Sequence, residues 1–317
     1  MDQLNVRIAR REQLATDVVG LELVAPEGGA LPPFTAGAHI DVHLGEGLVR
    51  QYSLCNDPAE RGHYRIAVLR DPASRGGSQA VHERLQAGQD LRIGVPRNAF
   101  ALVEAPRALL FAGGIGITPM LAFAQELQRR GAPFELHYCA RSADRQAFRA
   151  ELGQAPYADR VRLYADDAGT RLDAGAVLAA QERPCAVYVC GPSGFIAHVL
   201  DTARAAGWPD ELLRREYFGA APAEVQAGEQ AFEVELAGSG QRFAVPPGRT
   251  IVQVLGEHGI EVPVSCEQGV CGTCLTRVVA GTPEHRDSFL TDEEHAANDQ
   301  MTPCCSRACT ALLVLEL

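Results

Sequence analysis

The chain contains no lysine. All 29 of its basic residues are arginines, which we attribute to genome composition rather than to function. It also lacks any run of about 20 apolar residues, the length that a helix needs to cross a membrane. Its first residues, 1–5, show no basic patch followed by an apolar stretch, so a secretory signal is not expected. We therefore expect a cytoplasmic protein that has no membrane contact.

An excess of positive charge is missing as well. The formal net charge is -11 at pH 7, whereas nucleic-acid binding usually requires a basic face, so nucleic acid is not an expected partner. Internal repeats and low-complexity tracts are absent. The length of 317 residues indicates two or three domains, since domains have roughly 100–200 residues.

The ten cysteines are unevenly distributed along the chain. Without a secretory signal, they argue against a disulfide framework. Four of them are scattered, but six crowd the last fifth of the sequence. These six are Cys266, Cys271, Cys274, Cys304, Cys305 and Cys309. This crowding indicates a metal site.

The first three of the six have the spacing C-x4-C-x2-C, and Cys304 follows after 29 intervening residues. This is the spacing of a plant-type [2Fe–2S] cluster. Gly269 and Gly272 allow the backbone to approach the cluster closely and to donate N–H groups to the sulfurs. The alternative is a zinc site, but zinc favours paired C-x2-C knuckles and the second pair is missing. Neighbouring side chains on a strand point in opposite directions, so we expect only one of Cys304 and Cys305 to be a ligand.

The pattern of apolar and polar residues changes twice along the chain. Residues 1–104 carry short apolar runs punctuated by Gly and Pro, which predict a β-barrel or a β-sandwich domain. The runs are Val18–Val24, His39–Leu44 and Tyr64–Leu69. Residues 105–225 alternate strands with helices, which predicts βαβ units and a parallel sheet. The expected strands are Ala108–Ala112, Phe134–Ala140, Arg160–Tyr164 and Ala186–Cys190, and the expected helices are Pro119–Arg130 and Ser193–Ala206.

A small, polar stretch at 219–228 bears Pro and Gly, and we place an interdomain linker at 226–231. Residues 232–317 then form a third domain. We expect a hairpin of Phe232–Leu236 and Arg242–Val245, a short helix Thr250–His258 and then the cysteine cluster. The sequence thus predicts a multidomain protein: a β-barrel or sandwich, an α/β domain and an α+β domain.

Two glycine-bearing turns follow buried strands of the second domain. The first contains Gly113, Gly114, Gly116, Thr118 and Pro119, and the second contains Cys190, Gly191 and Pro192. A turn of the first kind exposes N–H groups at a helix start and suits a pyrophosphate. By itself it is weak evidence, since Pro119 stands where the G-x-G-x-x-G fingerprint has its last glycine. Both turns occupy strand ends where open α/β sheets bind ligands.

Acidic residues follow a third strand of this domain. Asp166 and Asp167 come after the expected strand Arg160–Tyr164. A carboxylate in this place accepts a hydrogen bond from the adenosine ribose 2′-hydroxyl and repels a 2′-phosphate. A solvated loop end is an equally good interpretation of the same residues.

The first domain carries two candidate flavin segments. In Arg50-Gln51-Tyr52-Ser53, the tyrosine can stack on a planar ring, the serine can hydrogen-bond to it and the arginine can meet a phosphate. Further on, Arg75-Gly76-Gly77-Ser78 offers consecutive N–H groups, a hydroxyl and a cation, which together form an anion nest. Taken singly, each segment is more often a plain turn than a site.

Taken together and in order, these motifs resemble the phthalate dioxygenase reductase family, which includes the vanillate demethylase reductases. The resemblance covers the whole chain. It implies a ferredoxin-reductase-like FMN-binding barrel, an NAD-binding parallel-sheet domain and a C-terminal β-grasp [2Fe–2S] ferredoxin domain. The family supplies electrons from NADH to a terminal, Rieske-type non-haem iron oxygenase, and we expect a monomer.

The resemblance also assigns residues. Arg50, Gln51, Tyr52 and Ser53 match the flavin motif, and Gly76, Gly77 and Ser78 match the FMN phosphate loop. The two glycine-bearing turns match the nicotinamide nucleotide motifs, with Asp166 at the ribose. Glu216 and Phe218 match an E-x-F segment near the flavin. Ser53, Cys190 and Glu216 are thereby the expected catalytic residues.

The resemblance also bears on the cluster ligands. The Ser306-Arg307-Ala308 segment after the cluster selects Cys304 as the fourth ligand, with Cys266, Cys271 and Cys274. Two positions depart from the family pattern. Cys305 stands where an apolar residue is typical, and Tyr217 adds a second aromatic ring beside Phe218.

Electron counting places a flavin in the middle of the expected chain. NADH donates a two-electron hydride, a [2Fe–2S] cluster accepts one electron at a time, and a flavin can do both. Three alternatives remain: a cytochrome P450 as the acceptor, a stand-alone flavin reductase, and a redox sensor. The sensor is disfavoured because no DNA-binding module is visible.

Charge is concentrated in the third domain. Residues 232–317 hold 12 acidic and 5 basic residues, a net charge of -7 out of the total of -11. Glu267, Asp292, Glu293 and Glu294 are candidates for an acidic docking surface, although a merely solubilising face explains them almost as well.

Overall fold

A computed structural model of the chain describes residues 3–45, 48–72, 76–218, 229–264, 267, 269, 272–287 and 289–317. The chain divides into two compact units, residues 1–218 and residues 219–317. Among the described residues, no helix combines the length and the apolarity needed to span a membrane.

The first unit begins with a six-stranded antiparallel sheet in the order β4-β3-β6-β1-β2-β5. Its elements are β1 Gln3–Ala15, β2 Val18–Val24, β3 His39–His43, β4 Val49–Ser53, β5 Tyr64–Leu69, α1 Gly77–Arg84 and β6 Asp90–Gly94. Side chains alternate between core and solvent along β1, where Val6 and Ile8 are buried and Arg7 is exposed. The apolar runs predicted as strands are confirmed, and β3 ends one residue before the predicted Leu44.

The same unit continues with a parallel five-stranded sheet in the order β11-β10-β7-β8-β9. Its elements are β7 Ala108–Gly113, α2 Ile117–Arg130, β8 Phe134–Ala140, α3 Arg149–Gln154, β9 Val161–Ala165, α4 Ala174–Ala179, β10 Ala186–Cys190, α5 Ser193–Ala205 and β11 Leu213–Glu216. Strands β7 and β10 are buried along their whole length, as expected for parallel strands covered on both faces. From β7 the chain adds β8 and β9 on one side and β10 and β11 on the other, so the strand order reverses between β7 and β10. Ligands of such sheets usually bind at this switch point.

The barrel and the parallel sheet are tied together by Arg65 of β5. Its guanidinium donates to both carboxylate oxygens of Glu151 in α3, each at 2.7 Å, and to Glu12 of β1 at 2.8 Å. The same group lies over the ring of Phe148, 4.9 Å from its centroid. Two-pronged contacts of this kind fix orientation as well as distance. The two halves of the first unit are therefore held in a defined geometry at this contact.

The second unit contains a five-stranded mixed sheet in the order β13-β12-β18-β14-β16, and a two-stranded sheet of β15 and β17. Its elements are β12 Phe232–Leu236, β13 Arg242–Val245, α6 Ile251–Glu257, β14 Thr276–Ala280, β15 Pro283–Glu284, α7 Asp292–Ala297, β16 Gln300–Met301, β17 Arg307–Ala308 and β18 Leu312–Leu315. The predicted hairpin is confirmed by the pairing of β12 with β13. Helix α6 begins with a capping box of Thr250 and Gln253, which satisfies its first N–H groups.

The predicted linker at 226–231 ends in a buried ion pair. Glu229 is nearly inaccessible, and its carboxylate accepts from Arg286 at 2.8 Å and lies 3.3 Å from Arg307. It also accepts the backbone N–H of Gly248 at 2.5 Å. Glu229 is thus held by side chains of the second unit. The domain boundaries at 104, 225 and 231 remain predictions.

Candidate functional site

The barrel and the parallel sheet meet at Ser53 and Glu216. Ser53 ends β4 and is buried, and its hydroxyl donates to Oε2 of Glu216 at 3.3 Å. Glu216 ends β11 and is paired with Cys190, the last residue of β10. The structure therefore brings the three expected catalytic residues together, from one strand of the barrel and two strands of the sheet.

Glu216 and Cys190, at this contact between barrel and sheet, both have a raised pKa. Burial raises the pKa of Glu216 to about 8, and the hydrogen bond from Ser53 offsets only part of that increase. The residue as a whole is half-buried, and it is the burial of its carboxyl group that raises the pKa. Burial, together with the nearby charge of Glu216, raises the pKa of the fully buried Cys190 thiol. Both groups are neutral near pH 7, so Cys190 is not a thiolate nucleophile.

The two glycine-bearing turns lie side by side, because β7 and β10 are neighbours in the sheet. A Cβ atom on Gly116 would collide with the carbonyl oxygen of Cys190, so this close approach requires glycine. A Cβ on Gly191 would lie 2.9 Å from the Cα of Gly113. Helix α2 begins at Ile117, directly after the glycines of the first turn. Such an arrangement suits a pyrophosphate.

The other predicted residues of these turns also have structural roles. Thr118 is buried, and its hydroxyl donates to the backbone carbonyl of Ile115 at 3.0 Å. Pro119 is buried in the first turn of α2, where a missing N–H is tolerated. Gly114 has a left-handed φ of 55° with open space around it, and Pro192 precedes α5. The turns are therefore shaped by their sequence even without a ligand.

Asp166 lies at the carboxyl end of β9, in a single 3₁₀ turn with Asp167 and Ala168. Asp166 and Asp167 are both exposed. Burial raises the pKa of Cys139, at the neighbouring end of β8, to about 12, and the charge of Asp166 adds to this increase. The carboxylate thus stands on the same edge of the sheet as the two glycine-bearing turns.

Arg50 of the first candidate flavin segment meets the second segment at the start of α1. The side chain of Arg50 lies across Gly77, where a Cβ atom would be 2.5 Å from Arg50 Cγ. Gly76 has a left-handed φ of 86° and precedes the helix, and among the described residues no side-chain hydrogen bond caps the helix N-terminus. A guanidinium and a set of helix N–H groups therefore lie together, as a phosphate requires. Arg75 lies outside the described residues.

Three predicted flavin residues differ in how much their side chains are already engaged. The Gln51 amide donates to Oδ1 of Asp41 at 3.1 Å, within the barrel. The Ser78 hydroxyl accepts the backbone N–H of Asp71 at 3.1 Å. Tyr52 is half-buried, and burial raises the pKa of its hydroxyl, so the group stays neutral. Tyr52 thus offers a ring, whereas the side chain of Gln51 links β4 to β3 and that of Ser78 links the start of α1 to Asp71.

The two aromatic residues after Glu216 lie in different environments. Tyr217 packs against the apolar cluster of β7, β10 and α5, whereas Phe218 is 47 % exposed. Phe218 is also the last described residue of the first unit. Its exposed ring favours Phe218 over Tyr217 as the ring available to a cofactor.

The described part of the cysteine cluster fits an iron–sulfur site. Cys274 and Cys304 are each 3 % exposed, while Cys266 and Cys271 lie outside the described residues. Gly269 has a left-handed φ of 72° and lies so close to Asp287 that a Cβ atom would be 2.7 Å from the Asp287 Cβ. The backbone at Gly269 therefore lies tightly against Asp287, as a chain wrapped around a cluster must.

Two further residues of this region were missed in the sequence. The ring of Phe289 covers Gly272 so closely that a Cβ there would collide with it. The buried Thr302 places its hydroxyl 3.2 Å from the Cys305 sulfur. An aromatic and a hydroxyl residue near a cysteine motif are too common to be recognised without the fold.

Comparison with known proteins agrees with this geometry. Residues 234–309 match the 2Fe-2S iron-sulfur cluster binding domain, and residues 110–201 match the oxidoreductase NAD-binding domain. A vanillate O-demethylase oxidoreductase from a Pseudomonas species is 56 % identical over 99 % of this chain and 100 % of its own. One from Pseudomonas putida is 54 % identical over 98 % of each chain. The solved structure of phthalate dioxygenase reductase superposes with a TM-score of 0.72 at 39 % identity, covering 99 % of this chain and 98 % of that one.

Fold and site together define an iron–sulfur flavoprotein oxidoreductase that binds NAD. The chain belongs to the family of vanillate O-demethylase oxidoreductase and phthalate dioxygenase reductase, the reductase components of oxygenase and demethylase systems. The predicted fold class, with its flavin barrel, parallel-sheet domain and C-terminal ferredoxin domain, is confirmed.

Proposed function

We propose that this protein is the NADH-dependent reductase of a two-component, Rieske-type oxygenase or demethylase. The supporting observation is the 56 % identity with a vanillate O-demethylase oxidoreductase along the full length of both chains. When bound, NADH supplies a hydride, a flavin accepts it and releases single electrons, and a [2Fe–2S] cluster carries them one at a time.

The chain's own residues would serve this chemistry by position and charge. Ser53 presents a hydroxyl that Glu216 orients, and the protonated Glu216 keeps the meeting point of barrel and sheet uncharged. The two glycine-bearing turns and the start of α2 would hold the nucleotide pyrophosphate. Cys266, Cys271, Cys274 and Cys304 would ligate the cluster.

We infer that the flavin is FMN. Arg50 and the N-terminus of α1 lie together and suit a terminal phosphate. FMN ends in such a phosphate, whereas FAD has no terminal phosphate because its phosphates form an internal pyrophosphate. Heat release followed by chromatography tests this inference. An FMN peak equimolar with protein is expected, and an FAD peak would contradict it.

The proposed partner is a terminal oxygenase, with the reductase acting as a cytoplasmic monomer. The test is reduction of a purified Rieske-type oxygenase from the same gene neighbourhood by NADH and catalytic amounts of this protein. We expect complete reduction of the oxygenase within its turnover time. Reduction of cytochrome c or oxygen alone, with the oxygenase left oxidised, would contradict the proposed partner. A mass by sedimentation above the 34.0 kDa of one chain would contradict the proposed monomer.

A further inference from the structure

Two histidines and an aspartate of the second unit lie close together, apart from the cysteine ligands. His285 and Asp287 come after β15, and His295 lies in α7. The rings of His285 and His295 are stacked with their centroids 4.4 Å apart, and one ligand atom from each of the three residues lies within 4.8 Å of the other two. Imidazole nitrogens and carboxylate oxygens are donors that Zn²⁺ and related divalent ions take. The fold thus brings metal-ligating groups together from two separate segments.

The neighbouring Asn298 determines which nitrogen of His285 is available to an ion. The Asn298 amide donates through Nδ2 to the carbonyl of Ala296 at 3.1 Å, so its oxygen is the atom that faces His285. This oxygen lies 3.3 Å from His285 Nε2 and can only accept, so Nε2 carries the ring proton. Nδ1 of the neutral ring then presents a lone pair. Metal-ligating histidines are commonly oriented by such a bond from the other ring nitrogen.

The Nδ1 atom of His285 is buried and faces a carboxylate. Among the described residues it has no hydrogen-bond partner, and it lies 3.7 Å from Asp287 Oδ1. A buried polar atom without a partner costs free energy. A cation between this nitrogen and the carboxylate removes that cost, because it accepts electron density from both.

The Asp287 carboxylate is fixed in place and ionised. Its side chain is inaccessible, and Oδ2 accepts the backbone N–H groups of Phe289 at 3.2 Å and of Leu290 at 2.9 Å. Burial disfavours the charge, but hydrogen bonds, led by that from the Leu290 N–H, lower the pKa of Asp287. The adjacent cation Arg286 is paired with Glu229 at 2.8 Å. A buried negative charge therefore stands between the two histidines.

His295 completes the set and gives an ion access from solvent. Its Nε2 lies 3.3 Å from Asp287 Oδ2, and its side chain is 26 % exposed. Two ligands of a tetrahedral Zn²⁺ are about 3.4 Å apart, since each lies about 2.1 Å from the metal. The distances from the carboxylate to the two histidines, 3.7 Å and 3.3 Å, lie on either side of this value.

We propose that His285, Asp287 and His295 bind a divalent transition metal ion of the Zn²⁺ class, at a site separate from the iron–sulfur cluster. The ligands are His285 Nδ1, His295 Nε2 and an Asp287 oxygen, and water takes the fourth position. The ion replaces the proton that His295 shares with Asp287, as metal binding to histidine displaces protons. It ties α7 to the segment after β15, which lies against Gly269 of the cysteine motif, and so stabilises the second unit.

The test is equilibrium dialysis of the intact, cluster-loaded protein against Zn²⁺, with zinc and iron measured in the same sample. Cys309→Ser serves as the parent protein, because the exposed Cys309 thiol is a zinc ligand in its own right. We expect the parent to bind one Zn²⁺ per chain while its iron content stays unchanged. Zn²⁺ should also raise the melting temperature of the parent.

Three variants in the parent background locate the site. His295→Gln removes a ligand at a partly exposed position and should abolish binding at zinc concentrations that saturate the parent. Asn298→Gly removes the amide that orients His285 but suits the left-handed φ of 54°, and it should weaken binding by about 10–100-fold. His198→Gln, at an exposed histidine of α5, is the matched control and should bind as the parent does.

Zinc binding that is absent from the parent, or equal in His295→Gln and the parent, would overturn the proposal. If His295→Gln loses iron as well as zinc, Asn298→Gly decides, because that variant removes no ligand. An unchanged zinc affinity in Asn298→Gly would then overturn the proposal. None of these measurements requires NADH or an acceptor protein, so their outcome is independent of the proposed electron transfer.

Discussion

Glu216 ends a strand of the nucleotide-binding sheet, yet its carboxyl hydrogen-bonds to a hydroxyl of the barrel. Burial raises its pKa from 4.5 to about 8. The folded protein therefore holds a proton that the unfolded chain has already released between these two pH values. The stability that this proton confers is full below pH 4.5 and is lost as the pH rises to 8.

A glutamine in place of Glu216 removes this titration. We expect the melting temperature of the wild-type protein to fall between pH 5 and about pH 8, and that of Glu216→Gln to stay nearly level, since each unit of pKa difference corresponds to about 1.4 kcal/mol. Thermal unfolding at a series of pH values measures this. Glu27→Gln, at an exposed position, serves as the control and should follow the wild type. Parallel curves for Glu216→Gln and wild type would contradict the assignment.

Cys304 and Cys305 offer a second comparison at the scale of single residues. Cys304→Ser should abolish or strongly reduce the iron–sulfur absorption, because a ligand is lost, while Cys305→Ser should retain it. Iron and sulfide content per chain measures the difference. Flavin content should be unchanged in both variants, which shows that the first unit has folded. The reverse pattern would mean that the ligand assignment is one residue out of register.

At the scale of elements, we predict that the carboxyl end of β9 decides between NADH and NADPH. A carboxylate at Asp166 would repel a 2′-phosphate there, so we expect NADH to be preferred over NADPH. We expect Asp166→Ala to lower the ratio of kcat/KM for NADH to kcat/KM for NADPH by about tenfold, which is equivalent to about 1.4 kcal/mol. Asp201→Ala, on the exposed side of α5, is the control. Comparable kcat/KM for both coenzymes in the wild type would contradict the preference.

Elements were predictable where local pattern decides them. Strands Val18–Val24 and Phe134–Ala140 have the predicted bounds, because apolar runs between breakers leave little freedom. Helix α2 begins at Ile117 rather than at the predicted Pro119, because proline is tolerated within a first helical turn. Strand β9 is shifted by one residue to Val161–Ala165.

Contacts between distant elements were not predictable in the same way. The family resemblance brought Ser53 and Glu216 to one flavin site, but their hydrogen bond spans 163 positions and depends on how barrel and sheet pack. The burial of Glu229 against Arg286 and Arg307 contradicts the polar, linker-like texture of its segment. Such a carboxylate is buried only because two guanidiniums from later in the chain reach it, and no local pattern reveals that.

At the scale of the whole molecule, charge bears on partner recognition. Asp292, Glu293 and Glu294 form the acidic first turn of α7, and Asp292 and Glu293 are exposed. If they steer docking, transfer to the acceptor should slow as salt shortens the Debye length from about 30 Å at 0.01 M to about 10 Å at 0.1 M.

Stopped-flow reduction of the oxygenase against ionic strength measures this steering. The variant with Asp292→Asn and Glu293→Gln should lose most of the salt dependence, whereas Glu261→Gln, at an exposed position of the same unit, should keep it. Reduction of the flavin by NADH, measured in the same instrument, should not respond. A rate of transfer to the oxygenase that is flat or rises with salt would mean that apolar contacts govern docking.

The central claim is that electrons pass from NADH through a flavin to a [2Fe–2S] cluster within this one chain. Its most direct test is an anaerobic titration of the purified protein with NADH, followed by visible absorption and EPR. We expect a brown protein whose flavin absorption bleaches and whose cluster gives the EPR signal of a reduced [2Fe–2S] centre without any added mediator. A colourless protein containing zinc would contradict the account, and so would a cluster that dithionite reduces but NADH leaves oxidised.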